Sequence, residues 1–392
     1  MLDSSTGSCP ICASQLELAF FRLPNVPTLD GAVGETMAQA IACPVGDVTI
    51  CLCGICGWIG NSTFDPAKLS YDKYHFSLQH SPVFESFVSG LVGSLTEKYD
   101  LEGKKVLDVG CGSGDFLRTF ARQVAITGLG IDPSITAGTE ELDRGKVSFE
   151  RGVLEPRHAD FDANLICCRH VLNSMPNPMS LLQEIRAVSG EKQDTVFYLE
   201  VPHADQTFNN DIVWNLAYEH HSWFNEVSFQ VLCERSGFEV LEIGPCWRDE
   251  YLGAELRWAP PKPDSVAPAR QIELQRANLE RFSRSVQEYA SRWSQRLSEL
   301  HLASRRVAIW GAGARALLFL LQVDNKDHVG RVVDINPTRQ GNYLTHVGVR
   351  IDAPESLCEF QPDLILISNS AFADEIREQA AGLGLSAELE VF

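Results

Sequence analysis

Short apolar runs alternate with helix-length segments along the middle of the chain. Residues 105–109 (KVLDV) form such a run, and similar runs occur at 127–132, 164–168 and 195–202. Each run predicts a buried strand. Alternation of strands and helices is typical of a parallel α/β sheet. We expect a helix over 81–98 to lead into this sheet, and a second α/β pattern begins at Arg306.

A proline-rich segment, 259–268, separates the two patterns and predicts a domain boundary, because proline lacks a backbone donor and disfavours helix before it. Residues 271–302 carry apolar side chains at helical spacing, which predicts one long helix packed by one face. A length of 392 residues fits two or three domains. The expected divisions are a small metal-binding lobe (1–65), a central α/β domain (66–258), a linker and long helix (259–304) and a second α/β domain (305–392).

The chain is acidic, with 33 Lys and Arg against 52 Asp and Glu and a net charge of −19. Nucleic acids and anionic membranes are bound by clustered cations, so this balance argues against both as partners. An anionic small molecule would need a local basic pocket.

We find no apolar run of membrane-spanning length and no secretory signal, and we expect a soluble, cytoplasmic protein that is a monomer or a small homo-oligomer.

Two Cys-x-x-Cys pairs lie near the N-terminus, Cys9 with Cys12 and Cys53 with Cys56. Each pair places two thiolates close enough to share one tetrahedral ion. Four sulfur ligands favour Zn²⁺ and leave no position for water, so the metal would be structural. The alternative is a set of buried free cysteines or a redox pair.

Closely spaced glycines, Gly110, Gly112 and Gly114, follow the first long strand and precede a helix. Such glycines let the backbone approach a ligand closely, and the missing Lys-Ser/Thr ending argues against a triphosphate. The next strand ends at Asp132, which is suited to both hydroxyls of a ribose, so a nucleoside ligand is predicted. The pattern from Asp108 to Asp132 resembles the S-adenosylmethionine site of class I methyltransferases. A dinucleotide enzyme is the alternative.

Residues beyond the ends of the later strands are candidates for the same site, because ligands sit outside the carboxyl ends of parallel strands. Val153 and Leu154 follow the third strand and are expected to flank adenine. Arg169 ends the fourth strand and is assigned to the cofactor. His170 is either functional or a packed or helix-capping histidine.

Titratable groups cluster further along the chain, at Glu200 and in the segment 218–224 (YEHHSWF). Methyl transfer from a sulfonium is an in-line displacement, so the protein positions the acceptor and removes a proton from it. Histidine and glutamate suit that task, and a carboxylate beside an imidazole can orient it. A solvated helix entry is the alternative for this segment.

In the C-terminal part, Gly311 and Gly313 belong to a Gly-x-Gly-x-x-Ala turn after a strand, and Asp334 ends the next strand. By itself this fingerprint would suggest a dinucleotide site and a reductase.

Four separated features match one family. They are the paired Cys-x-x-Cys motifs, the glycine loop, Glu-Val-Pro (200–202) followed by Glu-His-x-Ser-aromatic-Phe (219–224), and the C-terminal motifs WGAGAR (310–315), DINPTRQG (334–341), PD (362–363) and DEI (374–376). The chain resembles the three-domain deoxysugar C-methyltransferases, which methylate C3 of a nucleotide-linked 4-keto sugar. The resemblance covers essentially the whole chain.

The resemblance implies a mechanism in which a base abstracts the proton next to the ketone and the enolate attacks the methyl sulfonium. Glu219 and His220 match the family's Glu-His, with His220 as base or base-orienting group, and Tyr218 and His170 complete the expected catalytic set. Tyr74, Glu200 and His221 are assigned to the acceptor. The glycine turn with Arg315 and Arg339 would receive the diphosphate, although a packing turn with surface arginines is the alternative.

The chain departs from the family pattern around the presumed acceptor. Ala217 stands where the family commonly has tyrosine, and Asn173-Ser174 stands where relatives often have Glu-His. The tyrosine- and serine-rich segment 74–81 is also altered. Methylation of a hydroxyl or amine on another acceptor therefore stays open, as does a non-catalytic sugar-nucleotide or protein-binding module.

Overall fold

The computed structural model describes residues 7–17, 19–29, 32–69, 82–190 and 192–392. The N-terminal part is a small lobe of short elements. The N-terminal elements are β1 (Phe21–Pro27), β2 (Val33–Gly34), α1 (Met37–Ile41), β3 (Val45–Leu52) and β4 (Ile59–Asn61). Helix α1 begins where Thr36 and Gln39 form a capping box, which satisfies two backbone donors at its start.

The central part contains an eight-stranded sheet and the helices that cover it. Its elements are α2 (Pro82–Tyr99), β5 (Lys105–Val109), α3 (Asp115–Gln123), β6 (Thr127–Asp132), β7 (Gly138–Glu141), β8 (Lys146–Arg151), β9 (Leu165–Arg169), α4 (Pro178–Ser189), β10 (Val196–Pro202), α5 (Ala204–Asn209), β11 (Ser222–Trp223), α6 (Glu226–Arg235), β12 (Phe238–Cys246) and β13 (Tyr251–Trp258).

The order of strands in this sheet is β7-β8-β6-β5-β9-β10-β13-β12. Strands β8, β6, β5, β9 and β10 run parallel, whereas β13 is antiparallel to both of its neighbours. If the edge strand β7 is left out and the other seven strands are numbered 1 to 7 along the chain, their order across the sheet is 3-2-1-4-5-7-6. The order reverses between β5 and β9, and open α/β sheets bind ligands beyond the strand ends at such a point.

The N-terminal lobe is joined to the central part through a shared sheet. Strand β11 pairs with β4, which completes the order β1-β3-β4-β11. The indole Nε1 of Trp58 donates to Ser222 Oγ over 2.9 Å, and both side chains are buried. The lobe therefore holds in place the segment that contains Glu219, His220 and His221.

The long helix α7 (Ala269–Leu302) starts directly after Pro268, two residues before the predicted start. Its first half contributes Leu279 and Phe282 to a core shared with the N-terminal lobe. Its second half contributes Trp293 and Leu297 to the core of the C-terminal part. One apolar helix face thus packs against two separate cores.

The C-terminal part is a five-stranded sheet that is parallel throughout, with the order β17-β15-β14-β18-β19. Its elements are β14 (Val307–Trp310), α8 (Ala314–Gln322), β15 (Val329–Val333), β16 (Tyr343–Leu344), β17 (Ile351–Asp352), α9 (Leu357–Phe360), β18 (Leu364–Ile367), α10 (Ala373–Gly382) and β19 (Glu388–Val391). Strand β16 pairs with β2 of the N-terminal lobe. Within the described residues, no helix is both long and apolar enough to span a membrane.

Candidate functional site

The turn after β5 has the backbone shape that its glycines predict. Gly110, Gly112 and Gly114 all have positive φ, and a Cβ on Gly110 would lie 2.2 Å from the side chain of Val171. A Cβ on Gly114 would lie 2.5 Å from the ring of Phe149. Only glycine fits this conformation and these close approaches.

Asp132, at the end of β6, holds this turn in place. Its Oδ2 accepts the N–H of Gly112 at 2.9 Å, and its Oδ1 accepts the N–H of Ser134 at 2.7 Å. Oδ1 also accepts the hydroxyl of Ser134 at 2.5 Å, so the remaining capacity for a ribose hydroxyl is on Oδ2. Beyond the end of β8, Val153 is 67% exposed, while Leu154 packs against the core.

Asp108 lies inside the end of β5 and is buried. Burial raises the pKa of its carboxyl to about 7; the positive charge of Arg169 opposes this rise, and repulsion from Asp132 and Glu200 adds to it. The carboxyl therefore titrates close to neutral pH, where a cationic ligand next to it would favour its ionised form.

Glu200 is the most completely enclosed charged group of the site, with 0% of its side chain exposed. Its Oε1 lies 2.8 Å from Arg169 Nη2 and 2.7 Å from His170 Nε2. Its Oε2 accepts the hydroxyl of Tyr198 at 2.8 Å, with the Cys246 thiol at 3.9 Å. Burial opposes ionisation, but the charge of Arg169 and the hydrogen bond from His170 outweigh it and hold the pKa of Glu200 well below its usual range.

The sequence assigned Glu200 to the acceptor, whereas the structure turns its carboxylate toward four internal donors. Arg169 was assigned to the cofactor, and its guanidinium lies against Glu200 and 4.4 Å above the ring of Phe116, at the start of α3. The two residues are opposite each other in the pairing of β9 with β10. Both charges are thus neutralised before any ligand binds.

His170 follows β9 directly and has a φ of 57°, in the left-handed region that few non-glycine residues adopt. Its backbone N–H donates to Glu200 O at 2.8 Å, and its ring packs edge-on against Tyr251 with centroids 4.4 Å apart. The ring remains 20% exposed. Such a strained, anchored residue at a strand end is a candidate functional group.

The segment from Tyr218 to His221 is fixed from several sides, and its residues have different surroundings. Burial and repulsion from His170 lower the pKa of His220 to about 4, and its Nδ1 is buried with no hydrogen-bond partner among the described residues. His221 Nδ1 lies 2.9 Å from Met175 O, and burial lowers its pKa. Glu219 is 6% exposed.

Tyr218, which the sequence predicts in the catalytic set, is packed between the N-terminal lobe and the central part. Its ring stacks on Phe64, and its hydroxyl accepts the backbone N–H of Asp65 at 2.9 Å. A Cβ on Gly46 would lie only 2.0 Å from the ring, so the tyrosine fills a space in strand β3. With 1% of the residue exposed, Tyr218 connects the N-terminal lobe to the central part.

The four cysteines Cys9, Cys12, Cys53 and Cys56 come together as the spacing predicts. Their sulfur atoms all lie within 4.8 Å of one another, with Cys9 to Cys56 and Cys12 to Cys53 both at 3.4 Å. Zn–S bonds of about 2.3 Å in a tetrahedron require sulfur separations of about 3.8 Å. The cluster therefore has the donor set and the size for a zinc ion, and three of the cysteines are buried.

The C-terminal turn repeats the arrangement of the first glycine turn. Asp334 Oδ2 accepts the N–H of Ala312 at 2.7 Å, and its Oδ1 accepts the N–H of Asn336 at 2.8 Å. A Cβ on Gly311 would meet Ser368 Oγ at 2.2 Å, whereas Gly313 faces open space. A strand-ending aspartate thus holds a glycine turn in both sheets.

The two arginines assigned to a diphosphate have protein contacts here. Arg339 Nη1 donates to Ala312 O at 3.0 Å and so braces the turn. Arg315 Nη1 donates to Asn369 Oδ1 at 2.9 Å, and its guanidinium lies 4.5 Å above the ring of Trp214. Because Trp214 belongs to the central part, Arg315 lies at the junction between the two sheets. Partial burial lowers the pKa of Arg315.

The structure therefore brings Asp108, the first glycine turn, Arg169, His170 and Glu200 together at the strand-order reversal. Tyr74, assigned to the acceptor, lies outside the described residues. Sequence reasoning missed Tyr198 and Cys246 as partners of Glu200. Tyr198 precedes Glu200 by two residues on one strand, so the period of two could have placed both on the same face.

Two family models match the chain: "Methyltransferase domain" over residues 85–243 and "C-methyltransferase C-terminal domain" over residues 266–386. The central part is therefore a methyltransferase domain, and the class I methyltransferase fold predicted from the sequence is confirmed. The match at 266–386 includes the long helix and most of the C-terminal sheet.

Curated relatives match over shorter stretches. The ubiquinone biosynthesis O-methyltransferase of Pectobacterium atrosepticum is 39% identical over 90 residues, 21% of this chain and 37% of that protein. The enzyme of the same name from Vibrio parahaemolyticus is 34% identical over 99 residues, 24% of this chain and 42% of that protein. The chain thus spans about two fifths of the length of these relatives.

Among solved structures, magnesium protoporphyrin IX methyltransferase from Synechocystis PCC 6803 with bound S-adenosylhomocysteine is 13% identical, with a TM-score of 0.34. The similarity covers 48% of this chain and 90% of that one. The CurJ carbon methyltransferase is 12% identical, with a TM-score of 0.35, over 46% of this chain and 56% of that one.

The Cys53→Ser substitution tests the cysteine cluster, because it removes one of the four sulfur ligands. We expect the purified protein to lose bound zinc, measured by elemental analysis, and to lose more than about 3 kcal/mol of unfolding free energy, as is typical for loss of a structural metal. Cys51→Ser is the matched control, since Cys51 is equally buried but donates to Ser62 Oγ outside the cluster. Equal zinc content in the two variants would contradict the assignment.

Proposed function

We propose that this chain is an S-adenosylmethionine-dependent methyltransferase whose methyl donor binds at the turn from Gly110 to Gly114. The observation that carries the proposal is the glycine turn held by Asp132 at the strand-order reversal of a methyltransferase domain. The donor supplies an electrophilic methyl group on a sulfonium. Gly110 and Gly112 would line its methionine end, and Asp132 would receive the ribose hydroxyls.

The charges around the turn suit a cationic ligand. Asp108 is buried beside the turn, and its raised pKa leaves it partly neutral until a positive group arrives. Arg169 is already neutralised by Glu200, so it adds little net repulsion against a sulfonium. Val153, exposed beyond β8, and Leu154 would flank the adenine ring.

For the acceptor, we propose a nucleotide-linked keto-deoxysugar that is methylated on carbon through an enolate. The C-methyltransferase C-terminal match over 266–386 supports methylation on carbon. The junction of the two sheets supports a ligand with a diphosphate, because the Arg315 guanidinium, stacked on Trp214, places a positive charge there. A diphosphate reaching the Gly313 side of the turn would meet open space and a helix N-terminus.

The cysteine cluster completes the proposal with a structural role. Zn²⁺ bound by Cys9, Cys12, Cys53 and Cys56 would stabilise a lobe whose sheet includes β11. Strand β11 follows His220 and His221 directly, so the metal would act on the catalytic segment only by fixing its position.

A second candidate, methylation of a hydroxyl group, draws on the names of the curated relatives, which match only part of this chain.

The two strand-ending aspartates allow a matched test of where the donor binds. Asp132→Ala should lower the affinity for S-adenosylhomocysteine at least tenfold, because hydrogen bonds to a charged group contribute about 1.5–3 kcal/mol. Asp334→Ala removes the same kind of brace from the other turn and should leave that affinity unchanged in calorimetric titration. Loss of affinity in the Asp334→Ala protein alone would place the donor at the C-terminal turn.

The acceptor is tested by incubating the protein with ¹³C-methyl donor and a panel of nucleotide-linked 4-keto-6-deoxyhexoses. We expect a labelled methyl group on a sugar carbon, identified by its ¹³C shift and its couplings to the ring protons. Omission of the donor is the control. A labelled O-methyl or N-methyl product, or donor binding with no product from any acceptor, would overturn the C-methylation proposal.

A further inference from the structure

The Glu200 carboxylate and the His170 imidazole form a dyad at the end of β9. Glu200 Oε1 lies 2.7 Å from His170 Nε2, and the carboxylate has no exposed surface. The same oxygen lies 2.8 Å from Arg169 Nη2. The other oxygen, Oε2, accepts the hydroxyl of Tyr198 at 2.8 Å. Every part of the carboxylate is thus engaged, and its position is determined by three neighbouring residues.

This short contact favours one tautomer of the imidazole, although the Nε2–H bond does not point straight at Oε1. A carboxylate is an acceptor only, and an unprotonated nitrogen 2.7 Å from it would be repelled, so we expect Nε2 to carry the hydrogen. With the hydrogen on Nε2, the lone pair of the neutral ring is on Nδ1. A carboxylate that orients an imidazole in this way also stabilises the imidazolium that forms when the ring accepts a proton.

We propose that His170 is the base that removes the proton from the acceptor, through Nδ1, and that Glu200 is its positioning residue. The proposal rests on the proposed function and deepens it. The resemblance to deoxysugar C-methyltransferases assigns the base to His220 instead.

His170 lies next to the turn that would hold the methyl donor. It is followed by Val171, whose side chain is in contact with Gly110, so close that a Cβ there would lie 2.2 Å away. The ring lies against Tyr251 and keeps 20% of its surface exposed, so it is not sealed in the core. The left-handed backbone of His170 directs the chain out of β9 at this point.

The surroundings of His220 make it a poor base. Burial and repulsion from His170 lower the pKa of His220 to about 4, and proton abstraction becomes slower as the pKa of the base falls. Its Nδ1 is buried with no partner in the described part of the chain. Placing a positive charge there would cost desolvation energy. The same repulsion means that a proton gained by His170 further disfavours protonation of His220.

The reaction balances with these groups. The carbon next to the ketone loses a proton to His170 Nδ1, and the electron pair of that C–H bond forms the enolate. The enolate carbon forms a bond to the methyl group while the bond from methyl to sulfur breaks and its electron pair stays on sulfur. The imidazolium then returns its proton to solvent.

The first test measures the tautomer directly and needs no acceptor. In the protein labelled with ¹⁵N-histidine, the His170 signals are assigned by their loss in His170→Asn. We expect Nε2 to have the shift of a protonated nitrogen and Nδ1 that of an unprotonated one. In Tyr198→Phe, which keeps the Glu200 carboxylate, this pattern should persist. In Glu200→Gln it should weaken, because an amide can either donate or accept. Protonation of His170 at Nδ1 in the wild-type protein would overturn the proposal, whatever the acceptor is.

The second test isolates proton abstraction. The protein is incubated in D₂O with S-adenosylhomocysteine, in place of the donor, and a nucleotide-linked 4-keto-6-deoxyhexose. NMR follows the replacement of the hydrogen next to the ketone by deuterium. We expect His170→Asn to slow exchange at least about 100-fold, as is typical for loss of a general base, and His220→Asn to slow it less than tenfold. Glu200→Gln should lower the rate at saturation without weakening acceptor binding.

If His220→Asn slows the exchange more than His170→Asn does, the assignment of His170 as the base is wrong. A wild-type protein that binds S-adenosylhomocysteine but exchanges nothing would contradict the keto-sugar proposal rather than this one. In that case the ¹⁵N shifts of the His170 ring decide. A hydrogen on Nε2 supports the dyad, and a hydrogen on Nδ1 refutes it.

Discussion

A charge with no access to water must be neutralised where it lies, and the Glu200 carboxylate imposes this requirement on its surroundings. An unpaired buried charge costs several kcal/mol, so Arg169, His170 and Tyr198 have to converge on it. These partners fix the end of β9, the residue that follows it and the face of β10. The loop that carries Val171 is thereby held against Gly110, so the shape of the first glycine turn depends on the same ion pair.

The two α/β sheets hold a sharp glycine turn in place in the same way. In each, a strand-ending aspartate accepts one backbone N–H from the turn and another from two residues further along its own chain. The similarity explains why both turns match nucleotide-binding fingerprints in sequence. The surroundings differ, because Asp108 lies buried beside the first turn, whereas Arg339 braces the second and Arg315 lies in the first turn of the helix that follows it. A cationic ligand suits the first turn and an anionic one the second.

Much of the fold follows from the sequence because its signals are local. The strand at β5, the long helix α7 after the proline-rich segment and the grouping of the four cysteines all depend on periodicity, proline and ligand spacing. The contacts of Glu200 could not be predicted from such local signals. Its position at a strand end suggested contact with a substrate, but its burial depends on Tyr198, on Cys246 from a distant strand and on the register that places Arg169 opposite. The packing of Tyr218 could not be predicted for a related reason: the space it fills exists only because Gly46, far away in sequence, has no side chain.

The N-terminal lobe connects these parts, pairing with β11 in the central part and with β16 in the C-terminal part. The central claim is that the donor binds at the first turn with its sulfonium facing the dyad of Glu200 and His170. A crystal structure with S-adenosylhomocysteine tests it most directly. The account predicts a ribose held by Asp132 and a sulfur atom directed at the His170 ring. A sulfur directed at His220, or a ligand bound at the turn of Gly311 and Gly313, would contradict it.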